Sequence, residues 1–282
     1  MASDHMTQVA QTGQAAARVM LQTEALTRRF GTLTAVDALT LSIDAGEVFG
    51  LLGPNGAGKS TVIKMLTTLL PPTAGTARVA GFDIVRQATQ VRRVIGYVPQ
   101  LLSADGALTG YENLLVFARL YEIPHRERDR RIHEALAFMN LADVADRLVN
   151  TYSGGMIRRL EIAQATLHQP QLLFLDEPTV GLDPLAREVV WEHLKQLCAN
   201  TGTTIFLTTH YMDEAEELCM RVAIMHLGKI AAMGTPAELK ASLGGEEVTL
   251  DDVFVHYAGG ILESGGNYRE TARTRRTARR LG

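Results

Sequence analysis

Apolar and polar residues alternate along residues 38–43, the two-residue period of a half-buried strand, and residues 48–52 follow as a short unbroken apolar run. Such a run suits a strand covered on both faces. A glycine-rich stretch then gives way to a different period, in which Val62, Leu66 and Leu69 share one face of a helix predicted over residues 61–70. Strands are expected again at 95–98, 172–175 and 204–209, and a helix opening near residue 153 carries Ile157, Leu160 and Ile162. In between, residues 101–151 read as mostly helical, with Leu114, Phe117, Ala118 and Tyr121 at helical spacing and the charged stretch 125–133 as a solvated face. Near the end, Leu250, Val253, Phe254 and Tyr257 line one side of a short amphipathic helix that can dock on the core or on a partner. Strand, loop and helix in this order predict an α/β protein.

A chain of 282 residues is long enough for about two domains, or for one with an inserted subdomain. Its 46% hydrophobic and 21% charged residues exclude a disordered, collagenous or disulfide-stapled protein. No apolar run approaches the ~18 residues that a membrane-spanning helix requires. Residues 1–19 lack the apolar segment of a secretory signal and read as a flexible tail. Cys198 and Cys219 lack metal-ligand spacing and read as core residues of a protein kept in a reducing compartment. The net charge of −3 conceals an arginine-rich end, where Arg269, Arg273, Arg275, Arg276, Arg279 and Arg280 stand against one acid, Glu270, within residues 265–282. An anionic membrane surface or an acidic partner would suit these arginines, but the segment has almost no apolar anchor, so a solvated, disordered tail is expected.

The glycine-rich stretch Gly53-Pro54-Asn55-Gly56-Ala57-Gly58-Lys59-Ser60 matches the pattern GxxxxGK[ST], with a strand before it and a helix after it. Glycines let the backbone curl round phosphate oxygens with successive N–H groups pointing inward. The following helix offers its positive end, Lys59 places a charge between β- and γ-phosphates, and the Ser60 hydroxyl can ligate Mg²⁺. A nucleoside triphosphate site also needs carboxylates. The run 172–175 ends in Asp176 and Glu177, at the carboxyl edge of a parallel sheet where α/β folds build their sites. Asp176 is suited to hold Mg²⁺ through water, and Glu177, one residue on, to act as general base on the attacking water.

Tyr152-Ser153-Gly154-Gly155-Met156 is similar to the LSGGQ signature, and with it the chain resembles, over residues 20–235, the nucleotide-binding domain of an ATP-binding cassette (ABC) protein. That resemblance implies a P-loop NTPase of the ABC ATPase fold: a RecA-like core, an antiparallel β subdomain, and an α-helical subdomain inserted at about residues 101–170. It implies ATP and Mg²⁺ as ligands, with Thr61 added to the ATP-binding loop and Phe30 stacked on adenine. Gln100, after the strand at 95–98, resembles the Q-loop glutamine that touches metal and water. His210, at the end of the run 204–209, resembles the switch histidine that contacts the γ-phosphate. Asp183, within Val180-Gly181-Leu182-Asp183, resembles the D-loop residue that crosses a dimer interface. In the family, two chains pack head to tail on ATP, so Ser153, Gly154, Gly155, Met156 and Asp183 would contact the nucleotide held by the other copy.

Met156 stands where the family usually has glutamine, and Phe30 where it more often has tyrosine. Both variants, and the stretch Leu250-Asp251-Asp252-Val253-Phe254-Val255-His256-Tyr257, resemble a drug-resistance branch typified by daunorubicin-resistance ATPases. The resemblance therefore implies an ATPase subunit at the cytoplasmic face of the cell membrane that powers export of a drug, antibiotic or hydrophobic metabolite through separate transmembrane permease subunits, with no nucleic-acid partner. Residues 111–122 are candidates for the wall of the groove that receives the permease. The expected division is a tail at 1–19, the ATPase domain at 20–235, a helical extension at 236–264 and the arginine-rich tail at 265–282. The alternative is a soluble ABC ATPase acting on nucleic acid or the ribosome. A single cassette without a long coiled coil between its nucleotide motifs speaks against that alternative, and the intact Glu177 and His210 speak against a sensor that does not hydrolyse.

Overall fold

The computed structural model describes residues 18–244 and 248–258; the arginine-rich segment, residues 259–264 and residues 1–17 lie outside that range. In chain order, β1 (Val19–Phe30) and β2 (Leu33–Asp44) form a long hairpin, and β3 (Val48–Leu52) follows with all five residues buried. The glycine loop leads into α1 (Lys59–Leu66). This helix stops short of the predicted residue 70. The Thr67 hydroxyl turns back to the carbonyl of Ile63, Thr68 adopts a left-handed φ of 64°, and Leu69 is 61% exposed rather than on the buried face. Next come β4 (Ala74–Val79), β5 (Phe82–Asp83), α2 (Ala88–Val94) and β6 (Ile95–Val98).

The expected helical stretch contains α3 (Gly110–Leu120) and α4 (His125–Phe138), then two short 3₁₀ turns at Ala142–Val144 and Val149–Thr151, before α5 (Gly154–Thr166). Thr109 and Glu112 close a reciprocal capping box on α3. The charged residues of α4 lie outward around buried Ile132 and Leu136, with Arg130 paired to Glu134 and Arg131 to Glu127 one turn apart. The chain then alternates strands and helices: β7 (Leu172–Asp176), α6 (Pro184–Thr201), β8 (Thr204–Thr209), α7 (Met212–Leu218), β9 (Arg221–His226), β10 (Lys229–Gly234), α8 (Pro236–Ala241) and α9 (Leu250–Ala258).

One six-stranded sheet has the order β10-β9-β3-β8-β7-β6, parallel from β9 to β6 with β10 antiparallel at the edge, and a separate four-stranded antiparallel sheet has the order β2-β1-β4-β5. The two-residue period splits the larger sheet's side chains between two cores. Phe49, Leu172, Phe174 and Phe206 pack toward α1 and the smaller sheet, while Leu52, Leu173, Leu175, Ile205 and Leu207 pack toward the helices on the other face. Leu250, Val253 and Phe254 bury the apolar side of α9 against α7, α8 and β9, so that face docks on the core. Cys219 is buried, whereas Cys198 is only half-buried and bonds the Gly46 carbonyl. Among the described residues no helix is long and apolar enough to cross a membrane.

Register fixes where the chemistry gathers. Leu52 pairs with Thr209, Thr208 with Asp176, and Leu175 with Val98. The carboxyl ends of β3, β8, β7 and β6 therefore stand side by side, and the glycine loop, His210, Glu177 and Gln100 each follow one of them.

Candidate functional site

The loop after β3 is tight by necessity. Gly56 and Gly58 sit at φ 83° and 109°, a region costly for residues with a Cβ, and a Cβ on Gly58 would also lie 2.3 Å from the Ala35 carbonyl oxygen. Gly53 is equally confined, since its Cβ would lie 2.5 Å from the Met225 carbonyl oxygen. Gly58 caps α1 without any side-chain cap, and the first turn carries no acid. The positive end of the helix is thus left for an anion. Lys59 Nζ folds back over the loop, donating to the Gly53 carbonyl at 2.7 Å and the Pro54 carbonyl at 3.3 Å.

Two carboxylates at the end of β7 have separate surroundings. Asp176 Oδ1 accepts from the Thr208 hydroxyl at 2.6 Å and from the Ser60 hydroxyl at 3.2 Å. Glu177 points the other way, its backbone in the left-handed region at φ 50°, a strained conformation held by its N–H donating to the Thr208 hydroxyl at 3.0 Å and the Thr208 carbonyl at 3.1 Å. Its carboxylate meets Lys59 Nζ at 3.2 Å through Oε1, while Gln100 Nε2 donates to Oε2 at 3.3 Å and His210 Nδ1 lies 3.1 Å from the same oxygen. The His210 ring beside it, above all, holds the Glu177 carboxyl below its ordinary value; burial opposes this and the Lys59 charge adds to it.

The cluster therefore brings together Lys59, Ser60, Gln100, Asp176, Glu177 and His210. Phe30, Ser153, Gly154, Gly155, Met156 and Asp183 make their contacts elsewhere. Phe30 ends β1 half-exposed, with the Arg28 guanidinium 4.7 Å over its ring. Exposed Ser153 caps α5, its hydroxyl accepting from Met156 N at 3.3 Å, and exposed Asp183 caps α6 by accepting from Ala186 N at 2.9 Å. Gly154 and Gly155 pack toward Leu182 and Ala186, at the start of α6 in the same chain.

A family model described as "ABC transporter" matches residues 36–180, the span from β2 through the glycine loop to the residues after Glu177. The chain belongs to the ABC transporter family. The daunorubicin/doxorubicin resistance ATP-binding protein DrrA of Streptomyces peucetius is 47% identical over 230 residues, covering 82% of this chain and 69% of that protein. Nod factor export ATP-binding protein I of Rhizobium meliloti is 45% identical over 218 residues, or 77% of this chain and 65% of that one. Among solved structures, an ATP-binding subunit of an ABC transporter superposes with a TM-score of 0.75 at 30% identity, covering 84% of this chain and 99% of its own. The dimeric, post-hydrolysis cassette MJ0796 bound to ADP and Pi does so with a TM-score of 0.68 at 28% identity, covering 77% of this chain and 98% of its own.

The two sheets and the helices α3 to α5 are thus those of an ABC ATPase, and this ABC transporter chain is an ATP-binding ATPase. Its residues also fit a magnesium ion. Ser60 and Asp176 supply adjacent hard oxygen donors next to the glycine loop, and the nearby Lys59 charge is directed to Glu177 instead of Asp176. Sequence reasoning missed Thr208, which bonds Asp176 through its hydroxyl and Glu177 through both its hydroxyl and its carbonyl, because a threonine inside a strand reads as β propensity. It also missed Tyr97, whose phenol is pushed up to about 12 by burial and by the charge of Asp176.

Proposed function

We propose that this chain is the motor subunit of an exporter: two copies close on ATP, hydrolysis reopens them, and separate permease subunits carry the cargo. The observation that carries this reading is the placement of Glu177, held ionised between Lys59, Gln100 and His210 and directed away from Asp176. An ionised, buried carboxylate at a phosphate loop is a proton acceptor in position.

In this reading the backbone of residues 53–61 cradles the phosphates, Lys59 offers its charge to the β- and γ-groups, and Phe30 stacks on the base. Ser60 and Asp176 would hold Mg²⁺, with Gln100 reaching toward it; the ion, when bound, neutralises charge on the phosphate oxygens. Glu177 takes the proton of the attacking water, and His210 and Gln100 orient that water through their shared contact with Oε2. Ser153, Gly154 and Asp183, exposed at two adjacent helix starts, with half-buried Met156 and with Gly155 buried beneath them, complete the site of the second copy. The dimeric solved relative and the head-to-tail logic of one cradle plus one outward anion site support this.

The names of the relatives make a drug, antibiotic or other hydrophobic metabolite the preferred cargo. Exposed apolar residues on α3, including Val116 and Leu120, support a docking surface for the permease within residues 111–122, and in this reading the chain works at the cytoplasmic face of the membrane. The deciding experiment is Mg-ATP hydrolysis by wild type and Glu177→Gln, with size-exclusion in ATP. A variant that binds ATP, stops turning over and elutes at twice the monomer mass supports the reading; undiminished turnover overturns the role of Glu177.

A further inference from the structure

We propose that Arg158 and Glu161, on the first turns of α5, are positioning residues that tie the signature helix to Gln100. Arg158 is the largest fully enclosed side chain of the described residues; its two Nη groups are bonded while its Nε is buried without a partner, so its charge is held by the contacts at the end of the fork. Its Nη1 donates to the Pro99 carbonyl and its Nη2 to the Gln100 carbonyl, each at 2.7 Å. Glu161, one turn on, pairs with Arg158 Nη1 at 3.0 Å through Oε2. Through Oε1 it accepts the Ser103 N–H and, at 3.1 Å, the Ser103 hydroxyl. Both ends of the stretch 99–103 are therefore fastened to the same helical turn by side chains that are each only 2% exposed.

The geometry forms one continuous link. The helix begins at Ser153, whose hydroxyl caps it; Arg158 of that helix grips the Gln100 carbonyl; and Gln100 Nε2 donates to Glu177. A guanidinium fork is planar and stiff, so a displacement of α5 moves the two carbonyls with it. Movement of the signature helix, as when an anion binds at its start, is carried to the residue that touches the catalytic carboxylate. A lysine at 158 would reach one carbonyl at a time and lose this rigidity. The proposal rests on the reading of Gln100 as part of the hydrolytic machinery.

The test uses the full chain with Arg158→Lys, Arg158→Met and Glu161→Gln, each alone and combined with Gln100→Ala. For Arg158→Lys in the wild-type background, kcat should fall about tenfold with the KM for ATP within about twofold, because binding groups are untouched. In the Gln100→Ala background the same substitution should have no further effect on kcat, the signature of acting through that residue. Hydrogen exchange at residues 99–103 should rise in every Arg158 and Glu161 variant while exchange in β3 and β7 stays unchanged. If Gln100→Ala leaves turnover intact, the reading of Gln100 fails. If Gln100→Ala lowers turnover but Arg158→Lys lowers it equally in both backgrounds, or if exchange at 99–103 does not rise, the link itself is overturned. Glu161→Gln keeps the shape of the pair, so it reports even where Arg158→Met does not fold.

Discussion

The Glu177 carboxylate and the Lys59 ammonium stand 3.2 Å apart, with 6% and 5% of their side chains exposed. Each neutralises a charge that would be costly to leave alone in so enclosed a place. The pair also joins the first residue of α1 to the residue that follows β7. The proximity predicts a division of effects. Glu177→Gln preserves shape and removes the proton acceptor, so kcat should fall by at least about 100-fold while ATP still binds. Lys59→Ala should instead lose ATP binding. Steady-state hydrolysis beside a nucleotide-binding titration separates the two.

The lowered pKa of Glu177 has a stability consequence whose sign is fixed. A carboxyl held below its ordinary value binds protons less readily when folded, so its contribution is present above the unfolded value of 4.5 and is lost as pH falls through the lowered one. Wild type should therefore melt higher than Glu177→Gln near neutral pH, and the difference should shrink progressively as pH drops below 4.5. Thermal melts of both proteins across acid pH test this; a difference that grows in acid would contradict it.

Thr208 joins the two carboxylates, its hydroxyl donating to Asp176 at 2.6 Å and accepting the Glu177 N–H at 3.0 Å. Thr208→Val keeps the shape and removes one hydrogen bond from each partner, leaving Asp176 with the Ser60 hydroxyl and the Glu177 N–H with the residue-208 carbonyl. The expected cost is about 1–3 kcal/mol of stability, the range for losing one neutral hydrogen bond and one to a charged group, with a higher Mg²⁺ requirement for turnover. Thr208→Ser should restore both. Denaturant unfolding and Mg²⁺ titration of activity read the two effects independently.

The parts of the site visible in the sequence are those whose residues are neighbours in the chain. Gly53 to Ser60 and Asp176 with Glu177 are each set by a local turn or strand end, so spacing carries their chemistry, while Ser153 to Met156 is legible through its resemblance to the LSGGQ signature. Hidden instead were contacts made between strands and helices. Thr208 meets Asp176 only because β7 and β8 pair in that register, and Arg158 with Glu161 looks like a solvated pair one turn apart until the fold buries it. The end of α1 differs from the sequence pattern for a related reason: periodicity continues to Leu69, but backbone geometry at Thr68 breaks the helix before it.

Glu214 is fully buried on α7, where its Oε1 accepts from the Thr179 hydroxyl at 2.8 Å and the Trp191 indole at 3.1 Å. Burial, against these donors, pushes its carboxyl up. A raised carboxyl favours folding only while it is protonated, so wild-type stability is lost as pH rises from the unfolded value of 4.5 through the raised one. Glu214→Gln retains an accepting oxygen and cannot ionise. Its melting temperature relative to wild type should therefore rise as pH climbs above 4.5 toward neutral. A flat difference across that window would mean that the carboxyl titrates at its ordinary value.

Adjacent glycines of the signature should fail in different ways. A Cβ on Gly155 would lie 2.8 Å from the Ala186 Cβ at the start of α6, too close for two short side chains to adjust, whereas one on Gly154 would meet only the Leu182 Cδ2 at an ordinary 3.6 Å. Gly155→Ala must push α5 and α6 apart and should cost about 1–3 kcal/mol, as other overpacked sites do. Gly154→Ala adds a helix-favouring residue at an exposed position and should leave stability within about 0.5 kcal/mol. Its defect belongs to the second copy, because the added methyl would crowd the face on which an anion must be received. In a Glu177→Gln background, Gly154→Ala should remain as stable as its parent yet fail to dimerise on ATP, while Gly155→Ala should already unfold at lower denaturant as a monomer. Equal unfolding midpoints for the two variants would show that the contact between α5 and α6 within one chain does not set the requirement for glycine at 155.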